Sequence, residues 1–313
     1  MKCNECPELF SLLRSLIDIK RSPGRFLLLD SASPLLIKGV SESLAGRIKY
    51  EELGPVNLPE IPSSFSIEAH WFKGGFPDAL TAKSNQEFVD WMDSFIVTFI
   101  ERDLPDLFDF SFSRITMRNF WVMLAHSNSG IWNAQAFSRS LGIAGPTVNK
   151  YLDYLEGAFI IHRLPAYFNN VKKRLIKSPK IYLRDTGLLH RLLRIENPDE
   201  LHGHSIIGAS WEGYVVEQIN QTKNKNIDLY YYRTQDGAES DLVLVKANKP
   251  IACIEIKYAA SPNISKGFFI TTEDLKTKEN YIIIPSGKSY KIKKNVRVSG
   301  LKEFIKKILP GIH

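Results

Sequence analysis

Glu239, Asp241, Glu255 and Lys257 stand in two stretches, ESDLVLVKA and IACIEIKYA, that otherwise alternate as consecutive β-strands. Period two turns Glu239 and Asp241 to one face of the first strand, and Glu255 with Lys257 to one face of the second. A turn around Asn248 and Pro250 makes the two strands neighbours. A divalent ion such as Mg²⁺ or Mn²⁺ takes hard oxygen ligands, which Asp241 and Glu255 offer beside water and a phosphate oxygen. Lys257 can orient a water or offset charge that builds on the phosphate. Glu212, on the helix that precedes, can complete the set. The chemistry that these residue types support is cleavage of a phosphodiester. The same alternation also suits a half-solvated hairpin whose polar face carries ordinary ion pairs. Against that, Ile251, Ala252, Cys253, Ile254 and Ile256 give the second strand the composition of a central one, where charges are costly unless paired or metal-bound.

The elements that must position these groups form an α/β unit over residues 178–308. KIYLRD reads as a strand and GLLHRLLRI as a helix, followed by the helix GASWEGYVVEQINQT with Trp211, Val215, Val216 and Ile219 turned inward. The strands DLYYYRT, SDLVLVKA, IACIEIKY and KENYIIIP come next, and the helix GLKEFIKKIL closes the series.

Before this unit, residues 66–177 read as helical. Phe88, Trp91, Met92, Phe95 and Phe99 make an apolar stripe suited to a core. Asn133 is a good N-cap for AQAFSRSLG, Pro146 fits the first turn of the next helix, and AFIIHRLPAY begins a strand. Three helices, a tight turn between the second and third, and a strand outline a winged helix. In that reading Thr147, Asn149 and Lys150 face DNA, and Lys172, Lys173, Arg174 and Lys177 contact phosphate. Asp153 and Glu156 share the third helix, and domains of this outline also pack against protein.

Residues 1–58 hold a helix over 7–19, a short buried strand at FLLL (26–29), and a further helix and edge strand. That is too little to cover both faces of a sheet, so the segment reads as the end of an α/β domain. At 313 residues with 44% hydrophobic composition, the chain has material for two or three cores. Its net charge of +7 favours polyanions without identifying one. Cys3 and Cys6 form a lone C-x-x-C with no further ligand nearby, so reduced thiols in the cytosol are expected. No leader and no run near eighteen apolar residues is found, which points to a cytoplasmic protein without a membrane partner. No G-x-x-x-x-G-K-[ST] loop occurs, so no ATP site is expected in this chain.

Long phrases then carry a resemblance: CPELFSLLRSLIDIKRSPGRFLLLDSASP, GGFPDAL, FWVMLAHSNSGIWNAQAFSRSLGIAGPTVNKYLDYLEG, IKSPKIYLRDTGLLH, GASWEGYVVEQI and YYRTQDGAESDLVL. They look like the large prokaryotic family of predicted AAA-type ATPases with a DUF4143 domain at the C-terminus. The resemblance implies a P-loop portion ahead of this region, with Cys6–Phe10 following its second acidic motif and Phe26–Ser33 standing at its sensor strand. Asp30 stands where glycine is usual, and Arg47 is placed as a phosphate-sensing or intersubunit arginine. The C-terminal part resembles nucleases of the PD-(D/E)XK class. That likeness assigns Glu212 to the helix acid, Asp241 to the hairpin acid, and Glu255 with Lys257 to the E-x-K pair. The expected fold is multidomain α/β: a truncated AAA-type remnant, a helical winged-helix-like middle and a nuclease-like C-terminal domain. The expected function is a metal-dependent DNA phosphodiesterase. The alternative is a non-catalytic DNA- or protein-binding module, working with a protein partner or as a homo-oligomer.

Overall fold

The computed structural model describes residues 7–29, 44–104, 113–168, 175–293 and 295–312. It is a mixed α/β structure in which a helical half leads into a mixed sheet. No helix among the described residues is long and apolar enough to cross a membrane.

The helical half is organised by its caps. Ser66, Ser84, Ser113 and Asn133 each accept a backbone N–H from the first turn of the helix they precede, so each start point is written in a short polar side chain. Asn133 caps Ala134–Leu141 as expected, and Gly142 closes that helix at φ 67°, a left-handed position that glycine adopts at little cost. Helix Gly145–Gly157 follows with Pro146 in its first turn and buries Val148, Tyr151, Leu152 and Leu155. Strand β1 (Ile161–Leu164) then pairs antiparallel with β2 (Lys180–Leu183).

Six further strands form one sheet: β3 (Asp228–Arg233), β4 (Glu239–Lys246), β5 (Lys249–Ile256), β6 (Glu279–Ile284), β7 (Tyr290–Lys293) and β8 (Val296–Gly300). Their spatial order is β3-β4-β5-β6-β8-β7. The first three make an antiparallel meander, β5, β6 and β8 run parallel, and β7 returns antiparallel at the edge. Ala247 and Asn248, both at positive φ, turn β4 into β5.

Both faces of this sheet are covered. Leu242, Leu244, Ala252 and Ile254 join the main core, which is continuous with the helical half and with helix Ile207–Thr222. Val243, Val245 and Cys253 join a second core under Phe268 of helix Lys266–Asp274. The half-solvated hairpin therefore does not describe β4 and β5: period two here separates two buried faces.

FLLL does not form the expected strand. Residues 26–29 carry no strand pairing, and Leu27 and Leu29 are exposed. A strand needs neighbours for its backbone groups, and among the described residues none lies beside this one. Phe10, Leu13 and Leu44 form a small separate core near it. Cys3, Cys6 and Asp30 fall outside the described residues.

One contact ties the helical half to the sheet half through two glycines. A side chain at Gly74 would meet the Asp185 carboxylate at 2.3 Å, and one at Gly187 would meet the Lys73 carbonyl at 2.1 Å. Asp185 accepts N–H groups from Leu188 at 2.8 Å and Gly75 at 2.7 Å, capping helix Thr186–Leu192 while clamping the earlier loop. Nearby, His190 Nδ1 lies 2.8 Å from the Phe72 carbonyl and must donate to it, so Nε2 accepts from the Ser210 hydroxyl at 2.6 Å.

Burial drives these two groups in opposite directions. It raises Asp185 to about 6 from 3.8, outweighing its backbone donors. It lowers His190 to about 4 from 6.5. The raised Asp185 contributes stability that is complete below pH 3.8 and lost as pH rises through 6. The depressed His190 contributes stability that is complete above pH 6.5 and lost as pH falls through 4. Each contribution is worth up to roughly 3 kcal/mol across its window. Urea denaturation of Asp185→Asn should therefore show a deficit against the unsubstituted chain that shrinks from pH 4 to 6, and His190→Asn one that grows from pH 4 to 6.5. Deficits independent of pH would contradict both assignments.

Candidate functional site

Strand pairing sets the first two acids side by side. Leu242 pairs with Ile254, which places Asp241 and Glu255 opposite one another one residue further along. The Ile256 N–H donates to Asp241 Oδ2 at 2.9 Å and holds that carboxylate against β5. Asp241 and Glu255 are 7% and 4% exposed, so neither is a surface acid.

Glu212 arrives from helix Ile207–Thr222, whose Trp211, Tyr214, Val215 and Ile219 are buried. Asn128 fixes that helix to β2: its Nδ2 donates to the Ala209 carbonyl at 2.9 Å, and its Oδ1 accepts the Leu183 N–H at 2.8 Å. Gly213 permits the approach, since a side chain there would stand 3.0 Å from Asn128 Nδ2. The clamp brings two residues of β2 onto Glu212. The Tyr182 hydroxyl donates to Glu212 Oε1 at 2.7 Å, and Lys180 Nζ reaches the same oxygen at 2.9 Å.

Lys180 is the group that sequence reasoning missed. Its ammonium lies 2.9 Å from Glu212, 3.2 Å from Asp241 and 3.4 Å from Glu239, with 4% of the side chain exposed. The available signal was a lysine opening an otherwise apolar strand, KIYL, all four of whose residues are buried. Lys257 pairs with Glu255 at 2.8 Å and keeps 38% of its side chain exposed. Glu212, Asp241, Glu255, Lys257, Lys180 and Glu239 line one cleft of about 600 Å³, with Arg233 at its rim.

Charge in this cleft is unevenly settled. Burial pushes Glu212 up to about 7, with Lys180 opposing and Asp241 adding to the shift. Burial also pushes Glu255 up to about 7, with Asp241 adding to it and Lys257 opposing. Burial alone would lower Lys180, yet Glu212, Asp241 and Glu239 hold it well above the ordinary lysine value. Among the described residues, the second oxygens of Glu212 and Glu255 carry no protein hydrogen bond. Hard oxygens on buried carboxylates are the donor chemistry a divalent cation takes. As it stands the arrangement serves an ammonium instead, and among the described residues no three acidic, histidine or cysteine groups are grouped to hold a metal ion.

The other sequence-selected residues lie elsewhere. Asn149 Oδ1 accepts the Trp132 indole N–H at 2.9 Å, Thr147 is half-buried, and Lys150 is exposed over the Tyr154 ring. Lys177 is exposed beside Phe168. Lys172, Lys173 and Arg174 fall outside the described residues. Arg47 makes a two-pronged pair with Asp18, 2.9 Å at each contact, which occupies its guanidinium within its own segment. Cys253 is buried and free, its thiol pushed up to about 12 by burial.

Comparison with known families divides the chain in two. Residues 64–199 match DUF8612 and residues 207–304 match DUF4143, each a domain of unknown function. The six-stranded sheet with Glu212, Asp241, Glu255 and Lys257 thus lies within the segment that matches DUF4143, and Lys180 reaches into it from the segment that matches DUF8612. The chain is 42% identical over 279 residues to uncharacterized proteins of Mycobacterium bovis and Mycobacterium tuberculosis. The match takes in 89% of this chain and 62% of each relative, so the chain spans under two thirds of their length. No solved structure matches.

Proposed function

We propose that the cleft is the active site of a divalent-metal-dependent phosphodiesterase acting on DNA. The observation that carries the reading is the convergence of buried Asp241 and Glu255 from β4 and β5 with half-buried Glu212 from a helix, and with Lys257 half-exposed beside them. The order of helix, three-stranded antiparallel meander, helix and parallel strand agrees with the nuclease-like resemblance. Three helices followed by the β1–β2 pair agree with a winged-helix-like outline, and the exposed Lys150 and Lys177 suit phosphate contact.

Glu212, Asp241 and Glu255 would hold the ion. Its chemistry in such a site is to acidify water and offset charge at phosphorus. The protein's own groups do the rest. Tyr182 and the Ile256 N–H keep Glu212 and Asp241 in orientation. Lys257 presents an ammonium toward the open side, where it can hold a water and stabilise the oxygen that gains charge. Arg233, with 42% of its side chain exposed, meets the flanking phosphates.

Supercoiled plasmid incubated with the protein and Mn²⁺ or Mg²⁺ should be nicked, and EDTA should stop it. Intact plasmid with either ion and a folded protein would overturn the reading. Lys180 seated among three carboxylates favours one second reading, a non-catalytic DNA-binding module with a self-neutralised cleft. That module would retain DNA at low salt, lose it steeply as salt rises, and keep the same affinity when the acids are replaced.

A further inference from the structure

We propose that Lys180 is the resident cation of the cleft, that a divalent ion must displace it, and that Glu239 receives its ammonium when it moves. This rests on the reading that the cleft takes a divalent cation. Lys180 binds Glu212 Oε1 and Asp241 Oδ1, one oxygen from each of two of the three acids that would hold an ion. An ammonium and a divalent ion cannot both occupy that position. Lysine can yield it, because its charge rides on a flexible four-carbon stem.

The direction of movement is set by what surrounds the ammonium. Tyr182 stands behind Glu212 and is buried, and the Tyr231 ring lies 5.7 Å from Nζ on another side. Glu239 is the acid within reach toward solvent, 3.4 Å from Nζ with 32% of its side chain exposed. Glu239 also lies 3.6 Å from Arg233, which keeps it at the rim of the cleft. With all four acids, both lysines and Arg233 ionised, the cleft holds four negative and three positive charges, and this residual negative charge favours a divalent ion while Lys180 shifts outward. An empty site of this design stays folded without metal because it carries its own counter-charge.

Mn²⁺ affinity of the full chain, measured by titration calorimetry at pH 7.5, tests this in four forms. Lys180→Met should bind Mn²⁺ at least tenfold more tightly than the unsubstituted chain, because no internal cation competes. Glu239→Gln should bind it several-fold more weakly. In the Lys180→Met background, Glu239→Gln should lose most of that penalty, since there is no ammonium left to receive. Equal or weaker binding by Lys180→Met, with binding by the unsubstituted chain intact, overturns the proposal and leaves the metal site standing. A Glu239→Gln penalty of undiminished size in both backgrounds overturns the role of Glu239. If neither the unsubstituted chain nor Lys180→Met binds Mn²⁺, the cleft is not a divalent-cation site and both readings fall together. If Lys180→Met does not fold in EDTA, added Mn²⁺ should restore a cooperative melt; failure to restore it counts against the proposal.

Discussion

Lys257→Ala should lower strand scission by about a hundredfold or more, the usual cost of removing one group that stabilises developing charge. The site's geometry explains why the loss should fall on rate rather than on folding. The Lys257 side chain is 38% exposed and pairs with Glu255. Its removal leaves Glu255 without that partner, but Glu255 already sits at about 7 and can take up a proton. Plasmid nicking and thermal melting, measured on the same preparation, separate the two effects. A variant that melts close to the unsubstituted chain and has lost nicking supports a role at the phosphate. Unchanged nicking would remove Lys257 from the chemistry.

Lys180→Met should be the most damaging single change to stability in the cleft when metal is absent. Removing one partner of a buried ion pair typically costs about 3–5 kcal/mol, because the charge left behind has no counter-charge. Here three carboxylates lose the same ammonium, and Asp241 and Glu255 remain adjacent and buried. Methionine keeps the length of the stem, so lost packing contributes little. Urea denaturation in EDTA should show a lowered midpoint with an unchanged slope. A midpoint equal to that of the unsubstituted chain would mean that the acids are neutralised some other way, and the ammonium would lose its place in the account.

Part of this site was legible in the sequence because Asp241 and Glu255 lie on consecutive strands, whereas Glu212 comes from a helix. Period two and a short turn were enough to bring Asp241 beside Glu255, and the apolar residues of IACIEI marked β5 as central. The hairpin geometry followed from the same pattern, although its tightest positions proved to be Ala247 and Asn248 rather than Pro250. Lys180 was not legible for a physical reason: it joins the cleft through tertiary packing, 61 residues before Asp241, by way of the Asn128 clamp on β2. Its neighbours in the chain, Lys177 and the basic run before it, read as phosphate contacts on the surface. The edge strand β7 was missed because YKIK is only four residues long; its apolar–polar alternation is too short to stand out, and all four residues are exposed. FLLL misled in the other direction, since apolar composition specifies a strand only when a sheet is there to receive it.

The caps show how local chemistry and tertiary placement cooperate. Asn133 was visible as a helix start from its type and position alone. Asp185 serves the same local purpose, but its second role, holding the Gly75 N–H from 110 residues away, appears only when the halves meet. Gly74 and Gly187 exist for that meeting, each leaving room for a backbone or carboxylate oxygen.

The central claim is that Glu212, Asp241 and Glu255 share one divalent cation. A crystal of the full chain soaked in Mn²⁺ and measured for anomalous scattering tests it most directly. The account predicts a single strong peak among oxygens of these three residues, at roughly the 2.0–2.6 Å distances of hard-cation sites, with Lys180 Nζ turned toward Glu239. A soaked crystal with no peak in the cleft, and Lys180 still seated between Glu212 and Asp241, would contradict it.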